Sequence, residues 1–270
     1  MHLEHDVLGP ASGDPLVIVQ GLGDQLTKWA DGFPRALIER GFRVVRFDNR
    51  DAGLSARAEA EYALEDLAAD TVTVLDRVGV ERAHLVGASM GGMVAQLVAA
   101  RHPDRVSSLT SIMSSTGNPE LSPPGEAALA ALLATAPDPA ADEAAYLAHT
   151  LGVARVLGSP GYPDDDRSLR ANLLAAVRRA HHPAGTARQL AAVLSDGDRR
   201  ARLAGVITPT LVVHGLDDPL FAVDHAHDTV AAIRGARLLT LPGVGHHLPA
   251  ALYGTVADAV AELRTGAPRR

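Results

Sequence analysis

The stretch AHLVGASMGGMVAQLVAAR, from Ala83 to Arg101, constrains the fold more than any other part of the sequence. An apolar run stops at Gly87, Ser89 follows two residues later, and a small-residue helical pattern begins, so the chain reads as strand, sharp turn and helix. Gly87-Ala88-Ser89-Met90-Gly91 fits Gly-x-Ser-x-Gly, in which the serine occupies a strained turn that holds its hydroxyl clear of the backbone. The positions two residues to either side must then lack bulk, and they are Gly87 and Gly91. The Met90 amide, opening the helix, can donate to a developing oxyanion with help from the helix dipole. A glycine-rich turn of this kind could also cradle a phosphate; the flanking strand and helix favour the nucleophile.

A second glycine-rich turn ends another apolar run. Leu16-Val17-Ile18-Val19-Gln20, introduced by Asp14-Pro15, reads as a buried strand, and Gly21-Leu22-Gly23 follows as a loop of unusual backbone freedom. In a serine hydrolase of this build, that loop supplies the other oxyanion donor, here the backbone N–H of Leu22. The competing dinucleotide fingerprint, Gly-x-Gly-x-x-Gly, lacks its third glycine because Leu26 stands there.

Trp29, Phe33, Leu37 and Ile38 share one side of a helix expected from Leu26 to Arg40, with Trp29 in the core and Gly41 as the stop. Phe42 to Phe47 is the next strand, emptying into Asp48 to Ser55, where an Arg50–Asp48 pair is expected to pin the loop. A crossover helix from Leu64 to Val78 leads into the elbow strand, and Val106 to Met113 is the strand after it, parallel by right-handed crossover.

From Ser114 to Arg202 the pattern changes to prolines, alanines and helical patches, around Ala127 to Thr135, Glu143 to Leu157, Arg167 to Ala180 and Thr186 to Leu194. This predicts a helical cap over 114–202, inserted into an α/β core formed by 1–113 and 203–270. Such a cap would exclude water and shape the pocket. Asp164-Asp165-Asp166 reads as the cap of a helix in preference to a calcium loop. The strand rhythm resumes at Thr210 to His214, followed by Gly215-Leu216-Asp217-Asp218-Pro219, a helix near His225 to Ile233, a short strand Arg237 to Leu241, the loop Pro242 to Pro249 and a closing helix from Leu252 to Leu263.

Ester hydrolysis at neutral pH needs a nucleophile, a base, a carboxylate to orient the base, and oxyanion donors. The chain offers them in the order Ser89, Asp218, His246. His246 follows a Gly-x-Gly turn directly after a strand, so its ring can reach back over the sheet edge; His247 is its rival. Asp218 precedes Pro219, which biases it to extended backbone, and Asp217 is the alternative acid. The pair His181-His182 and the residues His225 and His227 lack a supporting carboxylate pattern, so packing or surface roles are expected, with no metal and no cofactor.

A chain of 270 residues suffices for one large α/β domain. Its net charge of -7, with no basic stripe, argues against nucleic acid. The absence of cysteine rules out disulfides, thiolate chemistry and cysteine-based zinc sites, and it suits a reducing cytoplasm, the expected location. The opening MHLEHDVLGP has no basic region followed by an apolar stretch, so no signal peptide is expected. No run of about 18 apolar residues suggests a membrane span. The expected partner is a small-molecule ester, and an aromatic content of 3% hints at an aliphatic pocket.

Gly87-Ala88-Ser89-Met90-Gly91-Gly92, His214-Gly215-Leu216-Asp217-Asp218-Pro219, Gly243-Val244-Gly245-His246 and Asp48-x-Arg50-x-x-Gly53-x-Ser55 together resemble the α/β-hydrolase superfamily over almost the whole chain apart from the cap. Within it, Arg46 to Ser55 is similar to the serine esterase branch that includes aclacinomycin methylesterase, which removes a methyl ester from an anthracycline. The resemblance implies a mostly parallel, doubly wound sheet with an inserted helical cap, and a carboxylic-ester hydrolase acting through an acyl-enzyme on Ser89. It favours Asp218, the acid after His-Gly and two further residues, and His246, the base after the last glycine. The fold also accommodates carbon-carbon bond hydrolases, lactonases, acyltransferases, cofactor-free haloperoxidases and small-molecule receptors that keep the triad. Two departures stand out: many members have His-Gly where this chain has Gln20-Gly21, and many have glycine where it has Asp51.

Overall fold

The apolar runs become parallel strands in the computed structural model, which describes residues 1–29 and 32–265. The strands are β1 (His5–Leu8), β2 (Asp14–Val19), β3 (Phe42–Phe47), β4 (Ala83–Ala88), β5 (Val106–Ile112), β6 (Thr210–Gly215) and β7 (Arg237–Leu241). The helices are α1 (Gly32–Ile38), α2 (Leu64–Arg77), α3 (Met90–Arg101), α4 (Glu126–Leu133), α5 (Glu143–Leu157), α6 (Asp166–Arg179), α7 (Pro183–Asp196), α8 (Arg200–Leu203), α9 (Val223–Ala232) and α10 (Tyr253–Thr265). The strands form a 7-stranded sheet in the order β1-β3-β2-β4-β5-β6-β7, antiparallel only at β1.

The step from β3 to β4 reverses the direction in which strands are added, and ligands of open α/β sheets bind beyond the carboxyl ends at such a switch. The register sets Val19 of β2 beside Gly87 of β4, so the glycine-rich turn and the serine turn emerge side by side. Strand alternation divides the core into two layers. Val17, Val19 and Leu85 join α2 and α3 on one face, while Leu16, Ile18 and Val86 join α1 and α10 on the other. Helix α3 is buried all along Met90 to Ala99, so burial of small side chains under the neighbouring elements holds it in place.

Among the described residues, the chain between β5 and β6 forms α4 to α8 and no strand, in the interval where helices are expected. Asp165 caps α6 by accepting a hydrogen bond from the Ser168 amide, as its position predicts. Leu203, on α8, is fully buried in the same cluster as α3 and ties the end of the insertion to the core. Among the described residues no helix is long and apolar enough to cross a membrane.

Two local expectations need correction, and one strand lies outside them. The helix expected from Leu26 starts at Gly32, because the Leu26 amide is captured by Asp48 Oδ1 at 2.7 Å and Leu26 to Trp29 form turns. Trp29 is nonetheless buried, its ring tilted against Phe33 and edge-on to Tyr253. Arg50 does not pair with Asp48; it makes a two-point bond to Asp70 on α2, at 2.5 and 2.8 Å. Strand β1 carries too little apolar character to be read from sequence, being a half-exposed edge paired only with β3.

Candidate active site

Ser89 follows β4 with φ 54 and ψ -121, a left-handed conformation that a residue with a side chain adopts only under constraint. The constraint is packing. A Cβ on Gly87 would stand 2.1 Å from the Gly91 carbonyl oxygen, and one on Gly91 would stand 2.1 Å from that of Val19, so the elbow closes only around glycines. Donation from the Ser89 amide to Ile112 O and from Ser114 Oγ to Ser89 O, at 2.9 and 2.8 Å, fixes both sides of the turn.

The expected acid and base converge on this serine. His246 Nε2 lies 2.9 Å from Ser89 Oγ, and His246 Nδ1 lies 2.8 Å from Asp218 Oδ2. With a carboxylate at Nδ1, that nitrogen carries the proton and Nε2 is left to accept from the serine hydroxyl. Asp218 is 7% exposed, and its other oxygen accepts from the Leu220 and Phe221 amides at 2.8 and 3.0 Å. Burial pushes this carboxyl up, but the His246 bond and charge and the two amides outweigh it and hold it below the usual range. The Phe221 ring meets the His246 ring edge-on, 5.5 Å between centroids, and limits its rotation.

Both rivals have other tasks. Asp217 Oδ2 accepts from the Gly243 amide at 2.8 Å and so tethers the histidine loop to the end of β6. His247 faces Asp164 at 3.8 Å, and burial followed by the charge of Lys28 drives its pKa down to about 4. His214, under the acid, is kept neutral by burial and donates Nε2–H to Phe221 O at 2.8 Å. His225 is buried against Ser115 and Ser122, His181 meets Tyr146 edge to face, and His182 adjoins Arg188. Among the described residues no group of three or more histidine, cysteine, aspartate and glutamate side chains is disposed to hold a metal.

Of the two expected oxyanion donors, Met90 opens α3, where the first amides of a helix have no partner within it. Leu22 belongs to a turn that adjoins Ser89: a Cβ on Gly21 would stand 3.7 Å from Ser89 Cβ. Asn49 Nδ2 donates to Gln20 O at 3.1 Å, and Asp48 takes the Leu26 and Leu54 amides, lacing this turn to the loop after β3.

Sequence reasoning missed the residues that hold these loops from the helical side. Arg179 of α6 pairs with Asp48 at 2.8 Å, and Arg188 of α7 binds Asp51 through both oxygens at 2.8 Å. Asp51 has φ 68, which explains why glycine suits the position; here an aspartate accepts the strain and anchors α7. Burial raises the Asp51 carboxyl, but Arg188, the Ala58 amide and Tyr62 outweigh that and bring its pKa to about 2. Gln189, fully buried, accepts from the Gly23 amide and donates to Arg50 O, both at 2.8 Å. At the end of α5, Leu157 O accepts from the His246 amide at 2.8 Å, while Ser159 Oγ donates to His247 O and accepts from the Gly245 amide, at 2.5 and 3.1 Å. The one sequence signal for Gln189 is a polar residue spaced with Gly185 and Ala192 on the buried stripe of a helix.

Known proteins agree with this architecture. The profile of the alpha/beta hydrolase fold matches residues 14–249. The rhodomycin D methylesterase of Streptomyces peucetius is 30% identical over 273 residues, covering 94% of this chain and 91% of the relative. Among solved structures, a hydrolase from Pseudomonas aeruginosa is similar with a TM-score of 0.71 and 31% identity, covering 98% of this chain and 94% of that one. An enol-lactonase from Burkholderia xenovorans is similar with a TM-score of 0.68 and 25% identity, over 98% of this chain and 95% of that one. With the fold, the elbow and these likenesses together, the chain belongs to the α/β-hydrolase family and resembles its methylesterases.

Proposed function

We propose that this chain is a serine hydrolase of carboxylic esters, with Ser89 as nucleophile, His246 as base, Asp218 as the residue that orients it, and the Leu22 and Met90 amides as oxyanion donors. The observation that carries this reading is the unbroken relay from Asp218 Oδ2 through both ring nitrogens of His246 to Ser89 Oγ, at 2.8 and 2.9 Å. Ser89 Oγ adds to the ester carbonyl as His246 Nε2 takes its proton, and the carbonyl electron pair moves to the oxygen that the two amides face. The imidazolium returns the proton to the departing alcohol, leaving the acyl group on Ser89. A water that gives its proton to His246 then releases the acid.

Residues 114–202 act as a cap over a core of 1–113 and 203–270. The similarity to a rhodomycin D methylesterase supports methyl esters as the substrate class. The experiment is a panel of p-nitrophenyl acyl esters of increasing chain length and of aryl methyl esters, run with wild type and Ser89→Ala. Turnover should fall by about 10⁴-fold or more in the variant, with its melting temperature kept. Wild-type turnover by Ser89→Ala would refute the assignment.

A further inference from the structure

The Gly21-Leu22-Gly23 turn has no strand to hold it, yet an oxyanion donor works only when its N–H is fixed at the place where charge develops. Two side chains of α7 perform that holding. Gln189 Oε1 accepts from the Gly23 amide, the residue directly after Leu22, at 2.8 Å. Its Nε2 donates at 2.8 Å to the carbonyl of Arg50, whose guanidinium is in turn locked on Asp70 of α2. One turn earlier on the helix, Thr186 packs on the same glycine, which has φ +68: a Cβ on Gly23 would stand 3.0 Å from Thr186 Oγ1. Gln189 is fully buried and uses both ends of its amide, so its side chain has one productive orientation. The Arg188–Asp51 pair beside it holds the helix at the required height.

We infer that Gln189, through the Gly23 amide, is a positioning residue for the Leu22 oxyanion donor, so that the helical insertion sets the geometry of the oxyanion hole. This rests on the proposed serine mechanism. Removing the acceptor lets the Gly21-Leu22-Gly23 turn relax, which weakens the transition state more than the bound ester. Substrate affinity therefore stays near its wild-type value while the chemical step slows.

The test compares wild type, Gln189→Met and Gln189→Glu on a p-nitrophenyl ester and on an aryl trifluoromethyl ketone. The ketone is attacked by Ser89 Oγ, its carbonyl electron pair becomes the oxyanion, and the proton passes to His246, so its inhibition constant reads the oxyanion hole directly. Gln189→Met matches the side chain in length without accepting a hydrogen bond. It should lower kcat by roughly 10-fold to 100-fold, part of the loss seen when a donor is deleted, and raise the ketone's inhibition constant by a similar factor with KM little changed. Gln189→Glu keeps the acceptor for Gly23 and should hold the ketone more tightly than Gln189→Met does. If a correctly folded Gln189→Met bound the ketone as wild type does, or changed KM alone, the inference would fail. Should Gln189→Met not fold, Gln189→Ala decides, since it too removes the acceptor for the Gly23 amide: a ketone inhibition constant raised about tenfold or more at nearly constant KM supports the role, and one within about threefold of wild type overturns it. Ser89→Ala in the same assay separates the two readings, since loss of turnover there with an unaffected Gln189→Met sinks only the positioning role.

Discussion

The four proposed catalytic elements fall into two pairs mounted in different ways. Ser89 and Asp218 follow β4 and β6, and the bonds that fix them come from the sheet side: Ile112 O and Ser114 Oγ for the serine, the Leu220 and Phe221 amides for the aspartate. His246 and the Gly21-Leu22-Gly23 turn stand on loops, and much of their support crosses from the insertion, through Leu157 O, Ser159 Oγ and Gln189. A Cβ on Gly245 would stand 2.0 Å from the Gly158 carbonyl oxygen, so the histidine loop and the helices meet backbone to backbone. The difference teaches that the insertion is part of the frame of the proposed site: the sheet fixes where Ser89 points, and the helices hold the His246 loop and the Gly21-Leu22-Gly23 turn beside it.

The sheet-mounted pair should be the more costly to break. Asp218→Asn presents a neutral group to His246 Nδ1, so the ring loses the partner that selects its working tautomer. The Leu220 and Phe221 amides still find an oxygen there, which should keep the fold. We expect kcat on a p-nitrophenyl ester to fall by about 10³- to 10⁴-fold, with a melting temperature close to wild type. A loss of less than tenfold would show that the carboxylate does not orient the base.

The loop-mounted pair yields more gently and in a way that distinguishes a frame from a cover. Ser159→Ala deletes one hydroxyl that both donates to His247 O and accepts from the Gly245 amide, on either side of His246. If the helices frame the site, kcat should drop roughly tenfold at nearly constant KM, because a base shifted by a fraction of an ångström loses its line to Ser89. If they only cover it, the same variant should move KM and leave kcat alone. Steady-state kinetics on one short ester separate the two.

All four elements follow local patterns in the sequence, whereas the supports of the loop-mounted pair do not. Gly87, Ser89 and Gly91 are close in the chain, and the steric demand of the elbow is written in their lack of side chains. Asp218 and His246 could be read from their place after strands, in agreement with the 2.8 Å contact between them. The supports of the loop-mounted pair join residues far apart in the chain, such as Gly23 with Gln189 and His247 with Ser159, and no local pattern encodes such partners. The Arg50–Asp48 expectation failed for the same reason. Proximity in sequence suggested a pair, whereas Asp70, a turn into α2, offered two aligned oxygens and Asp48 was claimed by Arg179 and two amides.

The smallest expected effect lies where the two halves meet at the rim. His247, Asp164, Lys28 and Asp24 bring together the histidine loop, the segment before α6 and the loop after β2, and His246 also bears on the His247 ring. Burial and then the charge of Lys28 lower the His247 pKa from 6.5 to about 4, so the folded protein refuses a proton that the unfolded chain accepts. The stability this neutral ring contributes is complete above pH 6.5 and is lost as pH falls from there toward 4. His84, His182 and His214, each lowered first by burial, act in the same direction, so wild type should lose stability steadily on acidification. His247→Gln removes one of these groups, and chemical denaturation at pH 7 and pH 5 should show a smaller loss in the variant, on the order of 1 kcal/mol after discounting for the water that reaches the ring. Equal losses in the two proteins would mean that the rim takes up its proton without resisting it, and that the helices and the loops they hold part freely in acid.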